Sequence, residues 1–178
     1  MPGQQVATQL QHHQTRRTAP PSPRRVATTF QRLLGDEIAL SLKTRTLHAL
    51  TSVPTLAGVN GVFADQSTRL DSVMAMVASR VAPSAPSETL ADYISLAPPP
   101  APSPPPRAGS HLDDWLLEGH VRLISELRNL IDLFAEWEEA DHQAFISWLL
   151  HEHEAMSWGL STLIARERLA NRAMPAFA

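Results

Sequence analysis

The sequence predicts an all-α fold, with one four-helix bundle over residues 27–170 preceded by a basic arm. Apolar residues recur at spacings of three and four along four long segments, which is the period of an amphipathic helix. The 178-residue chain is 43% hydrophobic, which is enough for one core of ordinary size. It contains no cysteine, so disulfides and sulfur-ligated metal sites are excluded, and His, Asp and Glu remain as metal ligands.

The two ends of the chain lack the pattern of the bundle. Residues 1–26 consist largely of Gln, His, Thr, Pro and Arg, and they carry too little apolar surface to offset the entropy of ordering. We therefore expect a disordered arm there. Residues 171–178 should form a C-terminal tail.

The first half of the bundle should contain two long helices. The first is expected from Ala27 to about Leu50 and the second over residues 57–82. Pro54 breaks the chain between them. The residues assigned to their inward faces are Phe30, Leu33, Leu34, Ile38, Leu42, Val59, Val62, Phe63, Leu70, Val73, Met74, Val77 and Val81.

A short helix and a proline-rich segment should connect the two halves. Residues 89–94 are expected to form the short helix, with Ser87 as its N-cap. Seven of the nine residues from Pro98 to Pro106 are proline, so residues 98–107 are expected to be an extended surface insertion. A linker between two domains is rejected, because two helices on either side would bury too little apolar surface to be stable alone.

The second half of the bundle should also contain two long helices, over residues 112–137 and 141–170. A short helix in the crossover between two helix pairs describes a ferritin-like bundle, since an up-down bundle would need a short central loop. The residues assigned inward are Leu116, Leu117, Val121, Ile124, Leu127, Leu130, Ile131, Phe134, Phe145, Leu149, Met156, Leu160, Leu163 and Ile164.

The arm is basic, although the whole chain has a net charge of −3. Arg16, Arg17, Arg24 and Arg25 all precede the first acidic residue, Asp36. We expect these four arginines to bind DNA phosphates without base specificity and with a steep salt dependence, and a solubilising tail is the alternative. No apolar run reaches the length of a membrane span or a secretory signal, so a cytoplasmic, nucleoid-associated protein without membrane contact is expected.

Four segments of the chain resemble the Dps family, the DNA-protecting mini-ferritins. The first helix of that family resembles residues 33–37 and 42–48, the second of which ends in Lys-Thr-Arg-Thr-Leu-His. Its crossover helix resembles residues 89–93. Residues 113–132 are similar to the third helix, and residues 149–158, with a His-Glu pair before a Trp, to the fourth. The resemblance implies a hollow dodecamer that oxidises ferrous iron with peroxide, stores ferric mineral and often binds DNA through a basic N-terminal tail.

The resemblance also implies an iron site between two subunits, built from a first-helix histidine with a histidine and carboxylates of the second helix. His48 matches the first of these ligands, and Asp71 matches a second-helix aspartate if about four residues are deleted. Asp65 is a further carboxylate on that helix. Ala75 stands where the family has a glutamate, so ferroxidase activity is expected to be weakened or lost. Structural roles remain open, with His48 as a partner of a helix C-terminus and Asp71 in a surface ion pair.

Two other patterns have the composition of metal ligands. His151 and Glu154 share a helical face, whereas their direct neighbours point elsewhere. Glu139 and His142 have the Glu-x-x-His spacing of carboxylate di-iron bundles, but the sequence contains one copy where such sites need two. The tryptophans are expected to serve packing and subunit contacts: Trp115, Trp137, Trp148 and Trp158.

The sequence therefore predicts a Dps-like subunit of a homo-oligomeric shell that binds DNA and takes part in iron storage and protection against oxidative stress. One alternative is a working ferroxidase whose missing ligands come from unrecognised positions. Another is a non-catalytic helical adaptor that docks partners through its proline-rich segment. Particle size separates the adaptor from the two shell-forming alternatives.

Overall fold

The computed structural model describes residues 21–51, 57–83, 89–100 and 112–173. Within these ranges the chain forms helices and no strand, which confirms the all-α prediction. The helices are α1 (Pro23–Leu50), α2 (Ala57–Val81), α3 (Leu90–Leu96), α4 (Leu112–Glu136) and α5 (Ala140–Ala173).

Helix α1 begins four residues before the predicted position. The side chain of Ser22 accepts a hydrogen bond from the backbone N–H of Arg25, and Pro23 occupies the first helical turn, where its missing N–H costs nothing. Arg24 and Arg25, predicted to lie in a disordered arm, are therefore part of the helix. Arg16 and Arg17 lie outside the described residues, as does the rest of the segment 1–20.

The N-cap of the short helix α3 is Thr89, and the prediction of Ser87 was wrong. The Thr89 hydroxyl accepts from the backbone N–H of Asp92, and the Asp92 carboxylate accepts from the backbone N–H of Thr89. This reciprocal capping box satisfies two helix-terminal donors at once, so the helix starts after Thr89. Ser87 itself lies outside the described residues.

The four long helices form two hairpins, since α1 packs chiefly against α2 and α4 chiefly against α5. The α4–α5 turn is closed by Glu138, which has a positive φ of 59°, and by a hydrogen bond from the Glu139 N–H to the Phe134 carbonyl. The hairpins meet along α1–α4 and α2–α5, and α3 packs against the first hairpin. This arrangement leaves one common core between the hairpins.

Most residues assigned inward lie in that core, with two exceptions. Leu42 is 38% exposed and Val121 is 56% exposed, so their assignment to the core was wrong. Both belong to the edge of an apolar stripe, where the helix already turns toward solvent. Close packing at Gly119 brings α4 onto α1, because a Cβ there would lie only 2.9 Å from Leu40 Cδ1.

The proline-rich segment begins on the surface of α1. A Cβ at Gly35 would lie 3.1 Å from the Pro98 carbonyl oxygen, so the missing side chain lets the segment approach the helix. Gln31 Nε2 donates to the Leu96 carbonyl oxygen at 2.7 Å and fixes the end of α3 on the same helix. The rest of the predicted insertion, residues 101–107, lies outside the described residues.

Candidate functional site

The three predicted metal residues each have a partner within the chain. His48 Nε2, at the end of α1, lies 3.2 Å from Asn60 Oδ1 of α2. The Asp71 carboxylate accepts two hydrogen bonds from Arg45 Nη2, at 2.6 and 2.9 Å. Asp65 accepts from Arg69 Nε at 3.1 Å. The structure thus brings His48 next to α2, but it places Asp65 and Asp71 in separate exposed ion pairs.

This geometry bears on metal binding by a single subunit. Among the described residues, no three His, Asp or Glu side chains are arranged to hold one metal ion. The Asp71 carboxylate has further lone pairs, but the positive Arg45 guanidinium beside it repels a second cation. An iron site that uses Asp71 would therefore need ligands that the described residues of one chain do not bring together.

A buried polar chain in the bundle core was missed by the sequence analysis. Glu37 of α1, His120 of α4 and His153 of α5 have no exposed surface. His153 Nε2 lies 2.9 Å from Glu37 Oε1, and its Nδ1 lies 3.3 Å from His120 Nδ1. The outer atoms of the chain, Glu37 Oε2 and His120 Nε2, have no hydrogen-bond partner. Three ionisable groups from three helices therefore meet inside a largely apolar core.

The buried polar chain is linear, and its three side chains do not converge on one point, since Glu37 and His120 contact opposite nitrogens of the His153 ring. A proton can pass along such a chain, whereas one cation cannot contact both ends of the same ring. Burial, together with the neighbouring His153, lowers the pKa of His120 to about 3, so this imidazole is neutral at physiological pH. The chain thus combines a carboxylate, a central imidazole and a neutral terminal imidazole.

The sequence did contain a signal for the buried polar chain, namely histidines within the apolar stripes of two helices. His153 follows Leu149 by four residues and precedes Met156 by three, so it falls on the apolar stripe of its helix. His120 likewise follows Leu116 by four residues. A polar residue within an apolar stripe is informative, because burying an ionisable side chain is costly unless it is paired.

The two weaker ligand-like patterns have other roles in the structure. His151 is exposed, and Glu154 forms an ion pair with Arg128 at 2.6 Å. His142 Nδ1 lies 2.9 Å from Arg80 Nη1, and its ring packs against Phe30 with a centroid separation of 5.1 Å. These contacts link helices and do not form a metal site among the described residues.

A basic groove lies between the first turns of α1 and the last turns of α4. It has a volume of about 480 Å³. The Arg25 guanidinium stacks over the Trp137 ring at 4.6 Å, and Arg32 is ion-paired with Glu126 of α4. Arg24 and Arg25, two of the four predicted DNA contacts, are thereby placed side by side on a folded surface. The groove is lined by Ser22, Arg24, Arg25, Thr28, Thr29, Arg32, Leu130, Leu133 and Trp137.

Several apolar side chains are exposed on the isolated chain. Trp158 is 74% exposed, whereas Trp137 is buried and Trp115 and Trp148 are half-buried. Leu50 is 58% exposed at the end of α1. Trp side chains are enriched at protein interfaces. No helix in the described part of the chain is long and apolar enough to cross a membrane.

Comparison with known proteins identifies the fold. Residues 28–170 match the family model of the ferritin-like domain. No protein of curated function matches the chain significantly. A Dps1 variant from Mycobacterium smegmatis is 19% identical with a TM-score of 0.63, over 79% of this chain and 95% of that one. Dps from Thermosynechococcus elongatus is 20% identical with a TM-score of 0.62, over 79% and 90%. Dps from Vibrio cholerae O1 is 18% identical with a TM-score of 0.61, over 80% and 90%.

Proposed function

Because the chain belongs to the ferritin-like domain family, we propose that it is a Dps-like mini-ferritin subunit that forms a shell, stores iron and binds DNA. The observation that carries this proposal is the extent of the fold likeness, which covers 90–95% of the Dps chains. The segment that precedes the matched domain is basic, because it contains Arg16, Arg17, Arg24 and Arg25 and no acidic residue. Iron is the substrate and the stored cargo in this proposal, and protection against oxidative stress in the cytoplasm follows from removing ferrous iron.

Assembly is the first part of the proposal to test. The exposed Trp158 supports a subunit contact, since Trp is enriched at protein interfaces. Twelve subunits of 19.6 kDa would give a particle of roughly 235 kDa. Light scattering of the purified chain should report a closed oligomer near this mass. A monomer at micromolar concentration would favour the helical adaptor instead.

Iron oxidation is proposed to be slow. His48, Asp65 and Asp71 remain the candidate metal ligands, but both carboxylates are held by arginines of the same chain. A single imidazole leaves most of the iron coordination positions to water. Peroxide-driven oxidation of ferrous iron should therefore change little in His48→Ala or Asp71→Ala. Rapid oxidation that collapses in either variant would establish an active ferroxidase with its site between subunits.

DNA binding is proposed to use Arg16 and Arg17 of the arm together with Arg24 and Arg25 of α1. Arginines clustered near the start of the chain can neutralise several phosphates, which gives sequence-independent binding that weakens as salt increases. Deleting residues 1–20 keeps the Ser22 cap of α1 and removes half of these arginines. Retardation of duplex DNA at low salt should weaken strongly after this deletion, while the number of subunits in the particle stays the same.

A point variant separates the helical arginines from the arm. Arg24→Ala in the full chain should lower affinity and reduce the slope of the salt dependence by about one. Arg166→Ala is the matched control, because this exposed arginine lies on α5, away from the basic groove. Unchanged retardation after both the deletion and Arg24→Ala would leave the solubilising role of the arm as the better explanation.

A further inference from the structure

The two hairpins of the bundle are joined by the buried polar chain. Glu37 belongs to the α1–α2 hairpin, whereas His120 and His153 belong to the α4–α5 hairpin. The 2.9 Å contact from Glu37 to His153 therefore crosses the seam between the hairpins. We propose that the chain Glu37–His153–His120 is an acid-sensitive latch, which holds the hairpins together at neutral pH and lets them separate when it takes up a further proton.

The distances within the buried polar chain determine how many protons its three side chains can hold while the hairpins are in contact. One hydrogen lies between Glu37 and His153, and another between the Nδ1 atoms of His153 and His120, because facing lone pairs would repel at 2.9 and 3.3 Å. With a third proton, on His120 Nε2, the net charge of the three side chains is zero. A fourth would leave a net positive charge among groups with no exposed surface, at a high cost.

Opening the seam removes this limit. In water, both imidazoles accept a proton below a pH of about 6.5, while a carboxylate stays ionised down to about pH 4.3. The open form then holds at least one proton more than the closed form within this window. Each unit of pH favours the open form by about tenfold. The lowered pKa of His120, caused by burial and by His153, acts in the same direction.

In the described part of the protein, no hydrogen bond or ion pair links the buried polar chain to another charged side chain. The buried polar side chain of α2 is Gln66, whose Nε2 donates to the Met156 carbonyl oxygen at 3.0 Å. His142 is another imidazole on the seam, and it faces Arg80. Several charged side chains of the packed helices lie at the bundle surface with partners of their own: Asp36 with Arg122, Glu126 with Arg32, Glu152 with Arg69, Glu154 with Arg128, and Lys43 over Trp115.

The latch can be tested by measuring the distance between the hairpins. Because the chain has no cysteine, one spin label can be attached to each hairpin through Ser72→Cys on α2 and Ser147→Cys on α5, both exposed positions. The labelled full chain is diluted with unlabelled chain and measured by pulsed electron paramagnetic resonance from pH 7.5 to 5.5. We expect a second, longer distance whose population grows about tenfold between pH 6.5 and 5.5.

Two variants should move this population in opposite directions. His120→Leu keeps the contact between Glu37 and His153 but removes the surplus imidazole, so growth of the longer distance should disappear. Glu37→Gln retains a hydrogen-bonding group but removes the negative charge, so opening should begin at a higher pH. The second variant keeps the proposal testable if the first one does not fold.

Two other imidazoles serve as controls. His151→Asn removes an exposed histidine two residues from His153 and should behave as the unsubstituted chain does. His142→Asn tests the rival explanation that the pair with Arg80 releases the seam. A distance that stays constant down to pH 5.5 in the unsubstituted chain would overturn the latch. The same conclusion would follow if His142→Asn, and not His120→Leu, abolished the change.

Discussion

The outer face of the α1–α2 hairpin and the interior of the bundle contain the same kinds of side chain in opposite surroundings. On the outer face, the Asp71 side chain is 48% exposed and the Asp65 side chain is 66% exposed, and each contacts an arginine. In the interior, Glu37 and His153 are fully buried and contact each other. The comparison teaches that burial is a better guide than resemblance to a ligand set when one looks for the ionisable side chains that depend most on their partners.

The physical reason is the cost of desolvation. An exposed ion pair contributes between zero and about 1 kcal/mol, because water solvates both charges whether or not they meet. A buried charge that loses its partner has no water to replace it. Removing one member of each kind of pair should therefore give very different results, and the comparison can be tested from the largest effect to the smallest.

Glu37→Ala should have the largest effect. It leaves His153 without its partner in the core, and we expect the free energy of unfolding to fall by about 3 to 5 kcal/mol. Urea unfolding at pH 7 measures the change. Replacing Glu37, His120 and His153 together by leucine should be far less harmful, since no polar group is then left unpaired. A loss below about 1 kcal/mol for Glu37→Ala would erase the contrast between interior and surface.

The pH dependence of stability should come next. The pKa of His120 is about 3 in the folded protein and about 6.5 in an unfolded chain, so the unfolded state binds more protons between these values. The stability is therefore fully present above about pH 6.5 and is lost as the pH falls toward 3, by about 1.4 kcal/mol per unit from this group. Unfolding measured at pH 6.5, 5.5 and 4.5 should show a shallower loss in His120→Leu. Parallel curves for both proteins would contradict the assignment.

Arg45→Met should have a smaller effect. It removes both hydrogen bonds to Asp71, but the Arg45 side chain is 44% exposed and water replaces the lost contact. We expect the free energy of unfolding to fall by about 0.5 to 1 kcal/mol, and the loss should shrink at high salt. Urea unfolding at 0.05 and 1 M sodium chloride is the measurement. A loss above about 2 kcal/mol would mean that this pair is buried in the assembled protein.

Asp65→Asn should have the smallest effect. Asp65 and Arg69 form an exposed pair one turn apart on α2, and such pairs contribute about 0.3 to 0.5 kcal/mol. The free energy of unfolding should therefore change by less than about 0.5 kcal/mol. If Asp65 instead binds iron in the assembled shell, Asp65→Asn would lower the rate of ferrous oxidation while leaving stability unchanged, which would sharpen the distinction between ligand and ion pair.

Helix positions could be read from the sequence because their causes are local. The period of apolar residues predicted all four long helices, with ends that differ by at most four residues from the observed ones. The start of α1 was missed because the signal lies in the cap Ser22 and in Pro23, before the first apolar stripe residue. At α3, two capping candidates were close together, and the reciprocal bond between Thr89 and Asp92 decided between them.

The candidate site was less accessible to sequence reasoning. No local pattern shows that His48 contacts Asn60, that Arg45 pairs with Asp71 or that Arg69 pairs with Asp65. Those partners depend on the rotation of each helix and on side-chain reach. For the same reason, the edge positions Leu42 and Val121 were assigned inward and are exposed.

By itself, the sequence determined the helical class, the order of the helices, the basic start of the chain and the absence of thiol chemistry, because period, charge and composition are properties of the chain alone. The tertiary structure decided which polar residues meet. Glu37 and His153 are 116 positions apart in the sequence. Their 2.9 Å contact exists only because the two hairpins pack against each other at the same height along the bundle. Helix packing excludes water there, and this exclusion shifts the pKa of a buried side chain such as His120 away from its ordinary value.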